Sequence, residues 1–218
     1  MTSVKICGLQ SVEVIKSIRT LPIDLIGLVF AESRRRVTAE QAAAIAREAP
    51  AGMGTVGVFV NPSLAELERV LDVVPLTHVQ LHGQESPAFC AKVARRFSVQ
   101  VIKALPVRDA VSIVRQMKQY QGAVDGYLFD AAHPEKPGGT GWRFSWELIP
   151  DIQRHVGDKP YWIAGGLTPD NVAELVRTYH PYGVDVSSGV ETAGKKDVTK
   201  IGQFVEKVKR HDAGRNRP

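Results

Sequence analysis

Polar side chains stand near the ends of strand-like segments that are otherwise built from valine, isoleucine and leucine. They are Lys5, Cys7, Gln80, His82, Lys103, Asp130 and Asp185. A barrel core made only for packing would carry apolar residues at these places. A thiol and a carboxyl group on different strands can move two protons in opposite directions, one accepting while the other donates. The pattern predicts acid–base chemistry centred on Cys7 and Asp130, with the other polar residues at the mouth of the same pocket.

Cys7 is the residue whose reactivity depends most on its neighbours. Side chains alternate along a strand, so Lys5 and Cys7 share one face. A nearby ammonium group favours the thiolate, and we therefore expect the pKa of Cys7 to lie below the value of about 8.5 of a free thiol. Packing is the competing interpretation, because a small buried thiol often serves only to fill space. Cys90 lies in an amphipathic helical segment and is interpreted as a core residue.

The other polar positions also have purely structural interpretations. His82 could equally satisfy a backbone group, and Asp130 could cap a helix or a turn. Asp185 lies between two valines, where an inward carboxylate needs a partner to offset its loss of water. The glycine-containing segment 131–141 that follows Asp130 is predicted to close over a ligand.

Two glycine-rich strand exits near the end of the chain predict a phosphate site. Segments Tyr161–Asp170 and Gly183–Glu191 each lead from a short apolar strand to small residues, with a helix expected soon after. Small residues let the backbone approach a ligand closely, and amides at a helix start favour an anion. The loops after the last two strands of a (β/α)8 barrel hold phosphate in this way. The amides expected to bind phosphate are those of Gly165, Gly166, Ser188 and Gly189.

The basic residues favour a small anionic ligand, and the spacing of the histidines does not suggest a metal site. Three consecutive arginines, Arg34–Arg36, follow the second strand, where a guanidinium can bind a carboxylate through two parallel hydrogen bonds. The net charge of +5 comes without a recognition module or stacking aromatic residues, so we expect no nucleic-acid partner. The histidines lack ligand spacing, so no metal ion is expected.

The 218-residue chain has the composition of one globular domain, with 44% hydrophobic and 23% charged residues. No segment approaches the ~20 apolar residues of a membrane span, and the start does not resemble a signal peptide. We therefore expect no membrane partner and a cytoplasmic location. Two cysteines do not make a disulfide framework. The expected division is a barrel domain over residues 1–210 and a polar tail over 211–218.

Strand-like and helix-like segments alternate along the whole chain, which predicts a parallel sheet. The predicted strands are Val4–Cys7, Asp24–Phe30, Thr55–Val60, His78–His82, Val99–Ala104, Gly126–Asp130, Tyr161–Ala164 and Val184–Ser187. The predicted helices are 11–20, 39–49, 63–73, 86–97, 108–120, 145–155, 169–179 and 197–210. An open doubly wound sheet would have fewer strands and an early dinucleotide fingerprint, which is missing after Cys7. The prediction is a single closed (β/α)8 barrel of the α/β class.

The chain resembles the phosphoribosylanthranilate isomerases of tryptophan biosynthesis over nearly its whole length, through one matching segment in each strand–helix unit. These segments are Val4–Gly8, Gly27–Ala31, Val56–Asn61, Val79–Gly83, Phe129–Asp130, Gly138–Gly141, Ala164–Pro169 and Asp185–Glu191. Some are common when taken singly, but their order along the chain is highly specific.

The resemblance implies an Amadori rearrangement that needs no cofactor. The substrate would be N-(5-phospho-β-D-ribosyl)anthranilate and the product 1-(2-carboxyphenylamino)-1-deoxyribulose 5-phosphate. By the family's pattern, Asp130 is the general acid that protonates the furanose oxygen, and Cys7 is the general base that removes the C2 proton. The resemblance also allows transient contact with neighbouring enzymes of the pathway.

One arginine after the second strand is implied to bind the anthranilate carboxylate. Alignment on Val37-Thr38 selects Arg35, whereas counting from Phe30 without a gap selects Arg36, and both remain candidates. The chain also lacks the aromatic residue that usually follows this arginine in the family. Glu32 replaces a frequent proline, and the link from Glu191 to Gly194 is short.

Other functions remain as alternatives. An indole-glycerol-phosphate synthase would keep a lysine acid and a glutamate at the mouth, and only the lysine, Lys103, is evident. A pentose-phosphate epimerase would show metal ligands at the strand ends. A phosphoribosyl-binding barrel without catalysis would have no need of Cys7 and Asp130. Whether the chain is a monomer or a dimer is left open.

Overall fold

The computed structural model of the chain describes residues 1–131 and 144–213. Eight parallel strands close into a barrel in sequence order, with the last strand hydrogen-bonded to the first. This arrangement confirms the predicted (β/α)8 barrel. The strands are β1 Ser3–Cys7, β2 Leu25–Val29, β3 Gly54–Phe59, β4 His78–Leu81, β5 Gln100–Val107, β6 Gly126–Ala131, β7 Tyr161–Ile163 and β8 Gly183–Val186.

A helix follows each strand and packs on the outside of the barrel. The helices are α1 Val12–Ile18, α2 Ala39–Arg47, α3 Leu64–Leu71, α4 Pro87–Phe97, α5 Ala110–Tyr120, α6 Ile149–His155, α7 Val172–Tyr179 and α8 Val198–Ala213. Five of them are capped by a side chain that accepts a hydrogen bond from the amide three residues later. The capping residues are Ser11, Thr38, Ser63, Ser86 and Asp109. Such caps satisfy amides that have no partner inside the helix.

Two apolar layers hold these elements together. The larger one fills the space between the strands and the helices, and a smaller one lies inside the barrel with Val58, Ile102, Leu128 and Trp162 among its members. Parallel strands therefore bury both of their faces, which explains their nearly continuous apolar sequences. The polar exceptions inside the barrel are the positions from which the site is built.

The structure adds details that the sequence pattern did not predict. β5 continues to Val107, three residues past the predicted end, and α8 continues to Ala213. Two short antiparallel strands, β9 Glu191–Thr192 and β10 Lys195–Lys196, follow β8. Residues 132–141 of the predicted closing segment, which include the Gly138–Gly141 motif, lie outside the described residues. None of the described helices has the length and apolar character needed to cross a membrane.

Candidate active site

A cavity of about 680 Å³ opens at the carboxyl ends of the strands. Most of the predicted site residues line it: Cys7, Arg35, Arg36, Gln80, His82, Asp130, Gly165, Gly166, Asp185 and Ser188. Lys5 is fully buried beneath Cys7 on the same strand, and Gly189 follows Ser188 in the loop after β8. The barrel therefore brings the residues that were singled out in the sequence to one end of the molecule.

The Cys7 thiol lies close to a buried ion pair. Lys5 Nζ donates to Asp185 Oδ1 at 2.7 Å, across directly paired residues of β1 and β8. Burial lowers the pKa of Lys5, but attraction from Asp185 and Cys7 outweighs this effect and raises it above its ordinary value. Lys5 is therefore a charged partner for both groups, and its removal would leave Asp185 unpaired.

Burial raises the pKa of the Cys7 thiol, and Asp185 adds to the shift. Lys5 and Lys196 act in the opposite direction but do not outweigh burial. The expectation that Lys5 lowers the net pKa of Cys7 is therefore wrong. The predicted neighbour is present, but Cys7 is only 8% exposed, and the loss of water around a thiolate is the larger effect.

The carboxyl group of Asp130 stands at the end of β6, between the Ala131 amide and the His82 ring. Asp130 Oδ1 accepts from the amide of Ala131 at 2.8 Å, and Oδ2 lies 3.5 Å from His82 Nε2. On the other side of the imidazole ring, His82 Nδ1 is 2.9 Å from Gln80 Nε2. A chain of polar groups thus runs from the interior of β4 to the carboxyl group at the mouth.

The two candidate arginines are placed differently. Arg35 is 7% exposed and makes a two-point contact with Glu191, at 2.6 Å from Nε and 3.0 Å from Nη2. Its stem packs on the backbone beside Cys7, since a Cβ added to Gly8 would lie 2.6 Å from Arg35 Cδ. Arg36 lines the same cavity but is exposed.

The Glu191 carboxylate forms ion pairs with three cations. In addition to Arg35, Arg34 Nη2 lies 2.7 Å from Glu191 Oε2, and Lys196 Nζ lies 2.8 Å from Glu191 Oε1. Burial opposes the charged form of Glu191, but its hydrogen bonds with Arg35 and Lys196 prevail and lower its pKa to about 2. Burial also lowers the pKa of Lys196. One carboxylate cannot neutralise three cations, so this wall of the pocket keeps an excess of positive charge.

The loops after β7 and β8 pack against each other without room for a side chain. A Cβ at Gly189 would overlap the carbonyl oxygen of Leu167 and would lie 3.1 Å from the Cα of Thr168. Gly165 and Gly166 have φ values of 88° and 62°, in the left-handed region that favours glycine. Asn171 fastens the first loop by donating to the Gly166 carbonyl at 2.9 Å.

The predicted phosphate amides are free to bind a ligand. In the part of the chain that the structure describes, no group accepts a hydrogen bond from the amide of Gly165, Gly166, Ser188 or Gly189. Unpaired amides in two adjacent loops can bind an anion together, as the sequence predicts here. Ser188–Val190 forms a single 3₁₀ turn at this place.

Lys103 does not line the cavity, so its expected place at the mouth is wrong. It alternates with Ile102 and Ala104, which belong to the apolar layer inside the barrel, and so faces outward. Its Nζ donates to the carbonyls of Leu81 and Gly83 at 2.9 Å each. Because both faces of β5 are apolar, its sequence does not indicate which residues point inward.

Three residues of the site were missed by sequence reasoning: Glu191 as an ion-pair partner, Lys196 and Asn171. Asn171 could have been noticed, because it stands at the start of a helix, where asparagine commonly caps. Glu191 and Lys196 carried no such signal, since their contacts depend on how β9 and β10 fold back. Over the described residues, no group of three or more histidine, cysteine, aspartate or glutamate side chains could hold a metal ion.

Comparisons with known proteins match nearly the whole chain to one family. The family model described as N-(5'phosphoribosyl)anthranilate (PRA) isomerase matches residues 4–207. The N-(5'-phosphoribosyl)anthranilate isomerase of Brevibacillus brevis is 46% identical over 216 residues, which cover 99% of this chain and 97% of that protein. The corresponding protein of Pelobacter propionicus is 46% identical over 211 residues, with 96% of each chain covered.

Solved structures agree with the sequence comparisons. The phosphoribosyl anthranilate isomerase of Thermotoga maritima superposes with a TM-score of 0.83 at 35% identity, covering 96% of this chain and all of that one. An isomerase in complex with reduced 1-(o-carboxyphenylamino)-1-deoxyribulose 5-phosphate gives a TM-score of 0.80 at 33% identity and the same coverage. The chain belongs to the N-(5'-phosphoribosyl)anthranilate isomerase family.

Proposed function

We propose that this barrel isomerises N-(5-phospho-β-D-ribosyl)anthranilate to 1-(2-carboxyphenylamino)-1-deoxyribulose 5-phosphate in tryptophan biosynthesis, with Cys7 as general base and Asp130 as general acid. The observation that carries the proposal is that both groups line one cavity, whose wall also includes the glycine loops after β7 and β8. A cavity of about 680 Å³ is large enough for a ligand of the size of a phosphoribosylated anthranilate.

The reaction needs two proton transfers in sequence. Asp130 gives its proton to the furanose ring oxygen as the bond from that oxygen to C1 breaks, which leaves an open-chain Schiff base. Cys7 then takes the C2 proton, and the C–H electrons form the C1–C2 double bond of an enolamine. Tautomerisation of the enolamine to the ketone completes the isomerisation. No electron donor or acceptor enters, so the chain's own acid and base suffice.

A bound reaction intermediate favours the thiolate form of Cys7. Burial disfavours the thiolate in the free protein, as its raised pKa indicates. The protonated Schiff base carries a positive charge next to C2, and an adjacent positive charge favours the thiolate. Cys7 would then gain its basic form at the step that uses it, with Lys5 beneath it in support.

We assign the anthranilate carboxylate to Arg35 rather than Arg36. Arg35 lies against Gly8, directly beside Cys7, and its guanidinium is held in one orientation by Glu191. The Arg35 contacts with Glu191 use Nε and Nη2, which leaves Nη1 for a second carboxylate. A guanidinium that is already oriented loses little side-chain entropy on binding. Arg36 is exposed and would add attraction at the rim.

The chemistry of Cys7 bears on where the enzyme works. A base that must remain a free thiol fits a reducing compartment, which supports a cytoplasmic location. Transient contact with neighbouring enzymes of the pathway and the tail over 211–218 stay predictions. The substrate itself is a small phosphorylated molecule, as in the isomerase complex with its reduced product analogue.

A fluorescence assay tests the proposed function. The substrate is made in situ from anthranilate and phosphoribosyl pyrophosphate by the preceding enzyme, and its decay is followed without added cofactor. The wild-type chain should remove the fluorescence quickly, and the folded Cys7→Ala, Asp130→Ala double variant should not. A flat trace from folded wild-type protein, together with binding of a product analogue, would favour a phosphoribosyl-binding barrel without catalysis.

A further inference from the structure

We infer that His82 is a positioning residue that aims the Asp130 carboxyl group into the cavity, with the tautomer of its ring set by Gln80. The inference rests on the proposed role of Asp130. His82 Nε2 and Asp130 Oδ2 are 3.5 Å apart, and both side chains are largely buried, with 19% and 14% of their surface exposed. Hydrogen bonds between catalytic groups commonly tighten in the reacting complex.

Gln80 determines which ring nitrogen carries the proton. Its amide Nε2 lies 2.9 Å from His82 Nδ1. With the amide nitrogen of Gln80 toward the ring, Nδ1 is the acceptor, and in the neutral form of the ring the proton is then on Nε2. That N–H therefore faces Asp130, where it can donate to Oδ2. Gln80 is 1% exposed and borders the cavity, and its Oε1 is buried without a hydrogen-bond partner among the described residues.

The backbone on both sides of His82 is held by a second buried ion pair. Lys103 Nζ lies 3.1 Å from Glu85 Oε2, and each side chain is 2% exposed. Lys103 donates to the carbonyls of Leu81 and Gly83, the two neighbours of His82. Glu85 accepts from the amide of Gly83 at 3.0 Å. Lys103 and Glu85 do not line the cavity, but through these contacts they hold the backbone that carries His82.

The contacts of the ring separate a functional role from a structural one. A histidine that merely satisfies the core would bond to a backbone group. Among the described residues, the partners of the His82 ring are instead two side chains that line the cavity, Gln80 and Asp130. Ala131 N–H donates to Oδ1, and the His82 ring contacts Oδ2 on the other side, so the carboxyl group is held between them. The two donors also stabilise the carboxylate that remains after Asp130 has given up its proton.

The test is a series of substitutions at His82, measured as kcat and KM in the fluorescence assay. His82→Ala should lower kcat about 10- to 100-fold, a part of the 10²–10⁴-fold that a placed acid contributes. KM should stay within about threefold, because the phosphate and carboxylate sites lie on other strands. Glutamine places an N–H at the position of Nε2, so His82→Gln should recover most of kcat. His82→Asn, which places it near Nδ1, should not.

Nitrogen NMR of the uniformly labelled full chain gives a second readout that does not depend on turnover. The chain has six histidines, and the His82 signals are those lost in His82→Gln. The inference expects a neutral ring with its proton on Nε2, and a change in that ring's signals in Gln80→Leu. A proton on Nδ1 in the wild-type protein would overturn it.

The kinetic outcomes also separate this inference from the proposed function. Wild-type turnover combined with a kcat for His82→Ala within twofold of wild type would overturn the positioning role alone. A His82→Gln variant no better than His82→Asn would do the same. Absence of turnover in the wild-type chain would instead defeat the proposed function, while the tautomer would still be measurable by NMR.

Discussion

Gly189 offers the sharpest perturbation of the phosphate site. A Cβ there would overlap the carbonyl oxygen of Leu167, and the Leu167 carbonyl carbon would lie at 2.9 Å, closer than real Cβ atoms approach. In Gly189→Ala the turn after β8 must therefore move away from the loop after β7. If this movement removes one hydrogen bond to the phosphate, about 1.5–3 kcal/mol of binding is lost, since the acceptor is charged. The expected result is a KM raised about 10- to 100-fold.

The assay is steady-state decay of substrate fluorescence, with inhibition by inorganic phosphate measured in parallel. The kcat of Gly189→Ala should change little, because Cys7 and Asp130 stand on other strands. Gly202→Ala is the matched control, since no atom lies within 4 Å of a Cβ there. In the middle of α8 it should raise stability by up to about 1 kcal/mol and leave KM unchanged.

A well-folded Gly189→Ala variant with unchanged KM would refute the reasoning and place the phosphate elsewhere. Should this variant fail to fold, Gly166→Asp supplies the same test from the other loop. It brings a negative charge toward the phosphate and a side chain to a backbone with φ of 62°, so KM should again rise sharply. A normal KM in that variant would lead to the same conclusion.

Three further predictions concern charge. Lys5→Met should lower the unfolding free energy by about 3–5 kcal/mol in urea denaturation, because it leaves the buried Asp185 charge unpaired. The double variant that also carries Asp185→Leu should lose less stability, and equal losses in the two variants would contradict this. The stability that the Glu191 carboxylate confers should be complete above pH 4.5 and be lost as the pH falls toward 2, since its pKa is lowered to about 2. In melts of wild type and Glu191→Gln, the difference should therefore shrink toward acid, and a constant difference would be evidence against it. In a Cys90→Ala background, alkylation of Cys7 should reach half its maximal rate above the ordinary thiol value of about 8.5, because burial raises the pKa of Cys7; a midpoint below that value would count against the burial argument.

Much of the fold could be predicted because strands and helices are indicated by residues that are close together in the sequence. Apolar runs of strand length alternate with capped helical segments, and serine residues such as Ser63 and Ser86 begin helices where the sequence indicated. The glycine loops were also predictable, since small residues after a strand have few other purposes. The ends of the strands were less certain, and β5 extended to Val107 because its later residues pair with β6.

The charge network around the site could not be predicted, since it joins residues far apart in the chain. Arg35 and Glu191 are 156 positions apart, and their contact requires the short ribbon of β9 and β10. The turn between these strands depends on Ala193 at φ of 50° and Gly194 at 78°. Similarly, the net pKa of Cys7 depends on the burial of the whole pocket, whereas the sequence indicated only its nearest charge.

The most direct test of the central claim is the kcat of Cys7→Ser and of Asp130→Asn with substrate that carries hydrogen or deuterium at C2. Each variant should lose at least about 100-fold in kcat with little change in KM, as expected for a proton-transfer group. Deuterium should slow Cys7→Ser further, because removal of the C2 proton limits it, and should not affect Asp130→Asn, which is limited by ring opening. Near-normal kcat in either variant would contradict the account of this active site.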